Sequence, residues 1–382
     1  MTKDTLQKLV QLRHSLHQNP ELSGLEFKTA QRIITFLKDF KPSEIIHPVG
    51  QTGIIAVFKG KNEGPKTLIR CELDALPIQE INSFTHKSTI DGVSHKCGHD
   101  GHMAILCGVA SLLSEANNFN GTVYLLFQPA EEDGEGAKKI INDSLFQNIK
   151  PDFVFALHNL PGYPLGQIVL KNGTFSCAVN SMLISLSGKT SHAAEPENGI
   201  NPAMAISEII TQFNEKIQPD ISKNTFCLIT PIFINLGKKA YGVSAGFGEI
   251  HFTIRSNSNK NMDKIETELM TLANEIAQKH QLIPEISWTQ QFRANENNPE
   301  AVSIIKKAAE SNGFDLFEKE TPFSWGEDFG LFTEHFPGAM FGLGAGEKVP
   351  SLHNPDYDFP DELIPVGAKM FYEIIKEIHD AN

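Results

Sequence analysis

Two kinds of apolar pattern follow one another along the first half of the chain. The runs at residues 53–59 and 67–72 are typical of strands, and the apolar runs at 122–128 and 152–157 are typical of strands that are buried on both faces. Between these runs, residues 103–113 carry apolar side chains at the spacing of a buried helix. Because strands alternate with helices, the pattern predicts an α/β fold with a mostly parallel sheet and helices on both faces.

A different order of elements begins near residue 178. The pattern predicts, in order, a strand at 181–186, a helix at 202–216, strands at 226–234 and 249–255, a helix at 262–279 and a strand at 282–288. This βαββαβ order is that of a ferredoxin-like α+β domain. We therefore predict a first domain made of residues 1–178 and 291–382, interrupted by an inserted second domain of residues 179–290.

Length, charge and cysteine content narrow the classes of partner. A chain of 382 residues is too long for one ordinary core, which agrees with two domains. A net charge of −13 without a long basic run argues against a nucleic-acid partner. The longest apolar run, residues 104–113, is much shorter than the ~20 residues that span a bilayer, so we expect no membrane partner. Five widely spaced cysteines predict reduced thiols and a cytoplasmic location.

The densest cluster of metal-binding side chains lies at residues 94–103, SHKCGHDGHM. Cys97, His99 and His102 supply thiolate and imidazole groups, which suit zinc and its first-row neighbours. Cys97 and His99 are two residues apart and would face the same way in an extended segment. His102 would lie inside the following helix, where it could line the site or cap the helix.

Further acidic and imidazole groups follow the predicted strands. Asp74, Glu131, Glu132 and His158 come directly after three of them, and His353 lies in a loop near the end of the chain. The carboxyl ends of parallel strands meet at one edge of a sheet, so we expect these groups to converge there. The predicted metal ligands are Cys97, His99, Glu132, His158 and His353. Five ligands exceed what one tetrahedral ion with an open position takes, so the set predicts two ions that act together in hydrolysis.

Adjacent glutamates at a strand end suit two different tasks. Glu132 is assigned to metal, and Glu131 to the general base that takes a proton from a metal-activated water. The alternative for this pair is a solvated acidic turn. Asp74 either orients an imidazole ligand or serves as a turn residue of LDALP.

The inserted domain carries one further candidate. His192 lies in GKTSHAAEPENGINP, a loop rich in small residues and proline. A histidine there could reach the substrate and donate a hydrogen bond to the oxyanion of a tetrahedral intermediate. The alternative is an ordinary surface histidine.

Taken together, the motifs resemble one enzyme family. The segments are LHQNPELSGLEFKT, RCELDALPIQE, HKCGHDGHMA, FQPAEEDGEGA, ALHNLPGYPLG, SGKTSHAAEPENGINP, WGEDF and LHNPDYDFPDE. They resemble the metal-dependent amidohydrolases related to aminoacylase and carboxypeptidase G, in the branch of indole-acetyl-amino-acid hydrolase, hippurate hydrolase and N-acetyldiaminopimelate deacetylase. The resemblance implies a catalytic domain interrupted by a lid, a dinuclear site at the five ligands above, Glu131 as base and His192 as carbonyl-polarising group. It also implies that His102 is a motif member without a ligand role.

Two positions depart from the family pattern. Glu72 stands where the family usually has aspartate, which adds a methylene group to that carboxylate. The lid motif that normally reads Asn-Val-Ile-Pro is Gly242-Val243-Ser244-Ala245 here. An amide that would contact substrate or oxyanion is therefore missing, which bears on substrate class and rate.

The expected activity is hydrolysis of the amide bond of N-acyl-L-amino acids. The expected cofactors are two divalent ions, zinc or manganese first and cobalt or nickel as alternatives. A dipeptidase or aminopeptidase could use the same site, and a catalytically weak binding protein of this fold is the remaining alternative. The expected partners are a small N-acyl amino acid and a second copy of the chain, bound through the lid domain.

Overall fold

The computed structural model describes residues 1–116 and 119–380. The helices are α1 (Lys3–Gln18), α2 (Phe27–Leu37), α3 (His99–Ala116), α4 (Gly136–Asn142), α5 (Ala203–Asn214), α6 (Asn259–Lys279), α7 (Pro299–Ser311), α8 (Gly330–His335) and α9 (Leu363–His379). The strands are β1 (Glu44–Val49), β2 (Gly53–Lys59), β3 (Lys66–Glu72), β4 (Thr122–Gln128), β5 (Phe153–Pro161), β6 (Ile168–Leu170), β7 (Gly173–Ser176), β8 (Ala178–Ser187), β9 (Ser191–His192), β10 (Leu228–Leu236), β11 (Val243–Ser244), β12 (Phe247–Ser256), β13 (Ile283–Phe292), β14 (Asn295–Asn297), β15 (Leu316–Glu318) and β16 (Gly338–Gly346).

The chain forms two compact units. Unit 1 comprises Met1–Phe175, Asn295–Glu320 and Asp328–Asn382, and unit 2 comprises Ser176–Ala294 and Thr321–Glu327. The division into domains at residues 178 and 290 stays a prediction.

Unit 1 is built on an eight-stranded mixed sheet with the strand order β1-β2-β4-β3-β5-β16-β6-β15. Its middle strands β4, β3, β5 and β16 are parallel to one another. The prediction of a parallel-rich α/β fold is therefore confirmed. Every residue from Val123 to Gln128 except Tyr124 is buried, as the continuous apolar run of β4 predicts for a central strand.

Helices cover the faces of this sheet. α3 is apolar on nearly all sides and packs against α1 and α9, and side chains of these helices share one hydrophobic core with alternate residues of β2, β3 and β4. The shorter helices α4 and α8 contact each other, and they also contact β4 and β16. The parallel strands thus lie inside the unit, and their carboxyl ends form an edge at which loops carry polar groups.

Unit 2 has the βαββαβ order that its sequence predicts. Its four-stranded antiparallel sheet has the order β10-β12-β8-β13, which is the strand arrangement of a ferredoxin-like domain. Buried and less buried residues alternate along β8 and β12. Apolar side chains of α5 and α6 join the buried residues of these strands in a second hydrophobic core.

Within residues 1–116 and 119–380, no helix combines the length and the apolar character needed to cross a membrane.

Candidate metal centre

A tight turn brings Cys97 and His99 to the carboxyl edge of the unit 1 sheet. Gly98 has a φ of +96°, and a Cβ atom at this position would lie 2.7 Å from the side-chain amide of Asn159. Only glycine fits this conformation and this close approach. The segment is therefore a turn into α3, which begins at His99, rather than the extended segment that the sequence predicts.

Cys97, His99 and His158 form a first group of candidate ligands, in which the ligand atoms all lie within 4.8 Å of one another. Nδ1 of His99 donates to the main-chain carbonyl of Asp74 at 2.9 Å, and Nδ1 of His158 donates to the carbonyl of Asn159 at 2.9 Å. These hydrogen bonds fix the tautomers and leave each Nε2 for a metal ion. Nε2 of His158 lies 3.4 Å from the Cys97 sulfur.

His158 is placed differently from the sequence-based expectation. β5 continues to Pro161, so His158 lies within the strand, opposite Gly342 of β16, rather than in a loop after it. Its side chain nevertheless joins the group of ligands, because the turn at Gly98 brings Cys97 to it.

Cys97, Glu132 and His353 form a second group, again within 4.8 Å of one another. The Glu132 carboxylate lies between two imidazoles, with Oε1 at 3.8 Å from Nε2 of His99 and Oε2 at 3.9 Å from Nε2 of His353. Cys97 belongs to both groups. The structure thus brings all five predicted ligands together as two overlapping sets, an arrangement that suits two neighbouring ions.

Two further carboxylates border these groups. Glu131 is buried, and its Oε2 lies 3.9 Å from Nε2 of His99. Asp74 contacts His99 mainly through its main-chain carbonyl, since its Oδ1 is 3.4 Å from the ring. The other oxygen, Oδ2, accepts hydrogen bonds from the Glu132 main-chain N–H at 2.9 Å and from Ser23 at 2.7 Å. Asp74 therefore holds both an imidazole and the loop that carries Glu132.

The electrostatics of the site favour a cation. Burial alone would lower the pKa of His99, but the carboxylates of Asp74 and Glu72 outweigh burial, and the pKa rises to about 10. Burial and the neighbouring His102 lower the pKa of His158 to about 3, which keeps this imidazole neutral and able to bind metal. Burial raises the pKa of the Cys97 thiol well above its ordinary value, and Glu132 adds to the rise. A divalent ion would offset the negative charge and deprotonate the thiol, so these residues fit a metal centre.

His102 lies beside the first group of ligands, with its ring 5.0 Å from that of His158, but both of its ring nitrogens have other partners. Its Nδ1 donates to Glu72 at 2.6 Å, and its Nε2 lies 2.6 Å from Oδ1 of Asn159. Asn159 in turn donates to the Tyr357 hydroxyl at 2.5 Å. Neither Asn159 nor Tyr357 was predicted to have a role at the site. The only signal was that both lie within the HN and DYD segments beside His158 and His353.

Glu72, the first departure from the family pattern, is completely buried. It accepts hydrogen bonds from His102 and from Nη1 of Arg70. Arg70 also donates through Nη2 to Asp328 at 2.5 Å. The longer carboxylate thus joins a buried arginine to the histidine beside the site.

His192 belongs to unit 2 and is exposed there. It lies in β9, where it pairs with Val243 of β11, and the Ala193 N–H donates to the carbonyl of Gly242 at 2.9 Å. The second departure, Gly242–Ala245, is therefore the segment directly beside His192. A side chain at Gly242 would meet only open space, so packing does not require glycine at this position.

The model of peptidase family M20/M25/M40 matches residues 68–377 of the sequence. The chain belongs to this family. An N-acetyldiaminopimelate deacetylase of Lactobacillus helveticus is 34% identical over 370 residues, which cover 94% of each chain. A hippurate hydrolase of Campylobacter jejuni is 31% identical over 369 residues, covering 95% of this chain and 94% of that protein.

A solved structure agrees with this membership. A Bacillus subtilis protein described as a dinuclear metal-binding peptidase of the M20 family superposes with a TM-score of 0.84, at 28% identity and with 98% of each chain covered. This M20 chain is thus a hydrolase of a metal-dependent amidohydrolase family. Its two overlapping ligand groups agree with a dinuclear site of the kind described for that protein.

Proposed function

We propose that this M20 hydrolase cleaves the amide bond of N-acyl-L-amino acids and releases a carboxylic acid and a free amino acid. The observation that carries the proposal is a buried glutamate, Glu131, beside two groups of metal ligands that share Cys97. The names of the relatives support this substrate class, since deacetylation of N-acetyldiaminopimelate and hydrolysis of hippurate both remove an acyl group from an amino acid.

We propose that two divalent ions, zinc or manganese, bind at Cys97, His99, Glu132, His158 and His353. When bound, such ions polarise an amide carbonyl and make water a nucleophile at neutral pH. The mixture of one thiolate, three imidazoles and one carboxylate suits zinc and its first-row neighbours better than magnesium or calcium.

The remaining groups of the chain would carry the protons and the charge. Glu131 would take a proton from the attacking water and return it to the departing amine, as a general base and then a general acid. Asp74 would keep His99 and the Glu132 loop in place through the contacts described above. His192 would donate a hydrogen bond to the oxyanion that develops on the acyl carbonyl.

Replacement of Glu131 tests this assignment. Glu131→Gln should lower kcat by at least about 10²–10⁴-fold, because general-base catalysis is lost, while the variant still binds both ions. Hydrolysis would be followed on N-acetyl, N-benzoyl and N-indoleacetyl amino acids and on free dipeptides, each with manganese, zinc and cobalt. Glu135→Gln, on the same loop but 47% exposed, is the matched control and should keep full activity.

The same panel separates the alternatives. Turnover of dipeptides with a free amine, without turnover of acylated substrates, would replace the proposal with a peptidase. Substantial activity of Glu131→Gln would refute its role as base. Fewer than one tightly held ion per chain, together with no activity after metal loading, would indicate a binding protein.

We also propose that the chain forms a homodimer through unit 2. β10 is an edge strand of the unit 2 sheet, with β12 as its one neighbour there. Its residues Ile232, Phe233, Ile234 and Leu236 are 62%, 45%, 51% and 42% exposed. An exposed apolar edge strand is a ready template for pairing with a second strand.

We propose a reducing location such as the cytoplasm. All five cysteines of the chain are buried free thiols in the structure, which supports this location.

A further inference from the structure

Lys96, the residue before Cys97, is completely buried. Lysine is almost never fully buried unless it is paired. Here Nζ donates to Oε1 of Glu80 at 2.6 Å, to Oδ1 of Asn82 at 2.9 Å and to the main-chain carbonyl of Tyr357 at 2.8 Å. An ammonium group has three hydrogens, so each of them has an acceptor. A lysine held in this way is a fixed part of the structure rather than a mobile surface charge.

The main chain and the side chain of Lys96 both contact the loop that supplies His353, the candidate ligand farthest along the sequence. We call residues 353–357 the His353 loop. The main-chain carbonyl of Lys96 accepts a hydrogen bond from the His353 N–H at 2.8 Å, and its Nζ binds the carbonyl of Tyr357 at the other end of the loop. One residue therefore spans the loop and is also covalently joined to Cys97.

Residues 80–82, which Lys96 binds through Glu80 and Asn82, also support this loop. The Ile81 N–H donates to the carbonyl of Pro355 at 3.2 Å, and the Asn82 side chain donates to the carbonyl of Asp356 at 2.9 Å. Because Lys96 binds Glu80, Asn82 and the Tyr357 carbonyl, its ammonium group joins residues 80–82 to the His353 loop. Removal of the ammonium group would loosen both at once.

His353 needs such support because of its backbone conformation. Its φ is +65°, in the left-handed region that residues with a side chain rarely adopt. A conformation of this kind is strained and persists only where the surroundings enforce it. The imidazole is 51% exposed, so packing around the ring does little to hold it. The bond from the His353 N–H to the Lys96 carbonyl and the bond from Nζ to the Tyr357 carbonyl hold the two ends of the loop. The second of these depends on the lysine side chain.

We propose that Lys96 is a positioning residue that holds the His353 loop so that His353 faces Cys97 and Glu132. This inference rests on the proposed metal centre and goes beyond its ligands. Lys96 would act on the second ligand group, Cys97, Glu132 and His353. The first group, Cys97, His99 and His158, would keep its own supports, which are the carbonyls of Asp74 and Asn159.

A double-mutant cycle on metal binding tests the proposal. The variants are Lys96→Met, His353→Ala and the double variant, and zinc content and affinity are measured after dialysis of the full chain. Lys96→Met keeps the length of the stem and removes the charge. We expect it to retain one tightly held zinc ion and to bind the second about 10–100-fold more weakly, the usual loss when a residue that supports a ligand is removed.

The cycle separates positioning from general damage. If Lys96 acts through His353, the double variant should bind zinc no more weakly than His353→Ala alone. Additive losses, or two tightly held ions in Lys96→Met, would overturn the proposal. His379→Phe removes another buried polar side chain of unit 1, which binds Thr67 and the carbonyl of Asn120. This matched control should lower stability and leave zinc content unchanged.

Two further measurements keep the result decisive. If Lys96→Met does not fold, Asn82→Ala decides instead, because it removes one acceptor of Nζ and one contact with the His353 loop. Asn82→Ala should also lower the affinity for the second zinc ion, and an unchanged affinity would refute the proposal. Wild-type hydrolysis of N-acyl amino acids is measured separately. Its absence would refute the proposed substrate class, whereas the metal-binding cycle would still decide the role of Lys96.

Discussion

At the scale of single residues, the histidines of the site differ in what their ring nitrogens already bind. His99 and His158 each use Nδ1 on a main-chain carbonyl and direct Nε2 toward Cys97 or the carboxylates. His102 has both nitrogens occupied by Glu72 and Asn159. Spacing along the chain left His99 and His102 unresolved as ligands. The hydrogen bonds favour His99, because a ligand needs a free nitrogen that faces the ion.

Glu72→Gln tests the buried bridge between Arg70 and His102. An amide has one acceptor oxygen, so whichever way it is turned, its NH₂ group must face the guanidinium or the Nδ1–H of His102. We expect a loss of about 1–3 kcal/mol in the free energy of unfolding, the cost of a buried polar group left unpaired. Urea unfolding of the metal-free protein measures it.

Glu63→Gln is the control for this prediction, since Glu63 is exposed in a loop. It should change stability by less than about 0.5 kcal/mol. Equal stability of the two variants would show that the Glu72 charge contributes nothing to the bridge.

At the scale of elements, buried ion pairs hold α1 against the first turn of α3. His17 of α1 is completely buried, with Nδ1 at 2.8 Å from Oδ2 of Asp100 and Nε2 at 3.0 Å from Oε1 of Glu80. Arg13, one turn earlier, lies 3.3 Å from the same oxygen of Asp100. Because Asp100 directly follows the candidate ligand His99, these contacts hold the first turn of α3 in place.

The charge on His17 predicts how stability varies with pH. Burial alone would lower its pKa, but Asp100 and Glu80 outweigh burial and raise the pKa from 6.5 to about 9 in the folded chain. A raised pKa contributes stability that is fully present below pH 6.5 and is lost as the pH rises to about 9. The free energy of unfolding of the metal-free protein should therefore fall across this window.

His17→Phe should make that slope shallower without removing it, because His99, whose pKa is also raised, to about 10, still titrates in the metal-free chain. The variant is also less stable overall. His335→Gln, which changes an exposed histidine of α8, should leave the slope as it is in the wild type. Chemical unfolding at intervals between pH 6 and 9 distinguishes the two. A wild-type slope in His17→Phe would show that another group is responsible.

At the scale of the whole molecule, apolar patterns were enough to predict the parallel-rich sheet and its strands β2, β3, β4 and β5, but not the strands β1, β6 and β15. The convergence of Glu132 with Asp74 was also predictable, because carboxyl ends of parallel strands meet at one edge. The supports of the site were not. Lys96 and His17 are buried against the usual preference of charged side chains, and their partners Tyr357, Asn82 and Asp100 are brought to them only by folding. Local spacing carries no signal for such contacts.

Pairing of two chains is the remaining property at this scale, and β10 is the surface that would mediate it. Ile234→Lys places a charge in the middle of the exposed strand, where a paired copy would bury it without a partner. We expect the wild type to sediment as a dimer at micromolar concentration and the variant as a monomer. Ile283 of β13 is 74% exposed on the opposite edge of the same sheet, so Ile283→Lys is the matched control and should stay dimeric. A monomeric wild type, or a dimer in both variants, would exclude β10 as the interface.

Zinc content should be the same in all three proteins, because every proposed ligand lies in unit 1. Any loss of turnover in the monomer would then arise from a group other than the metal ligands.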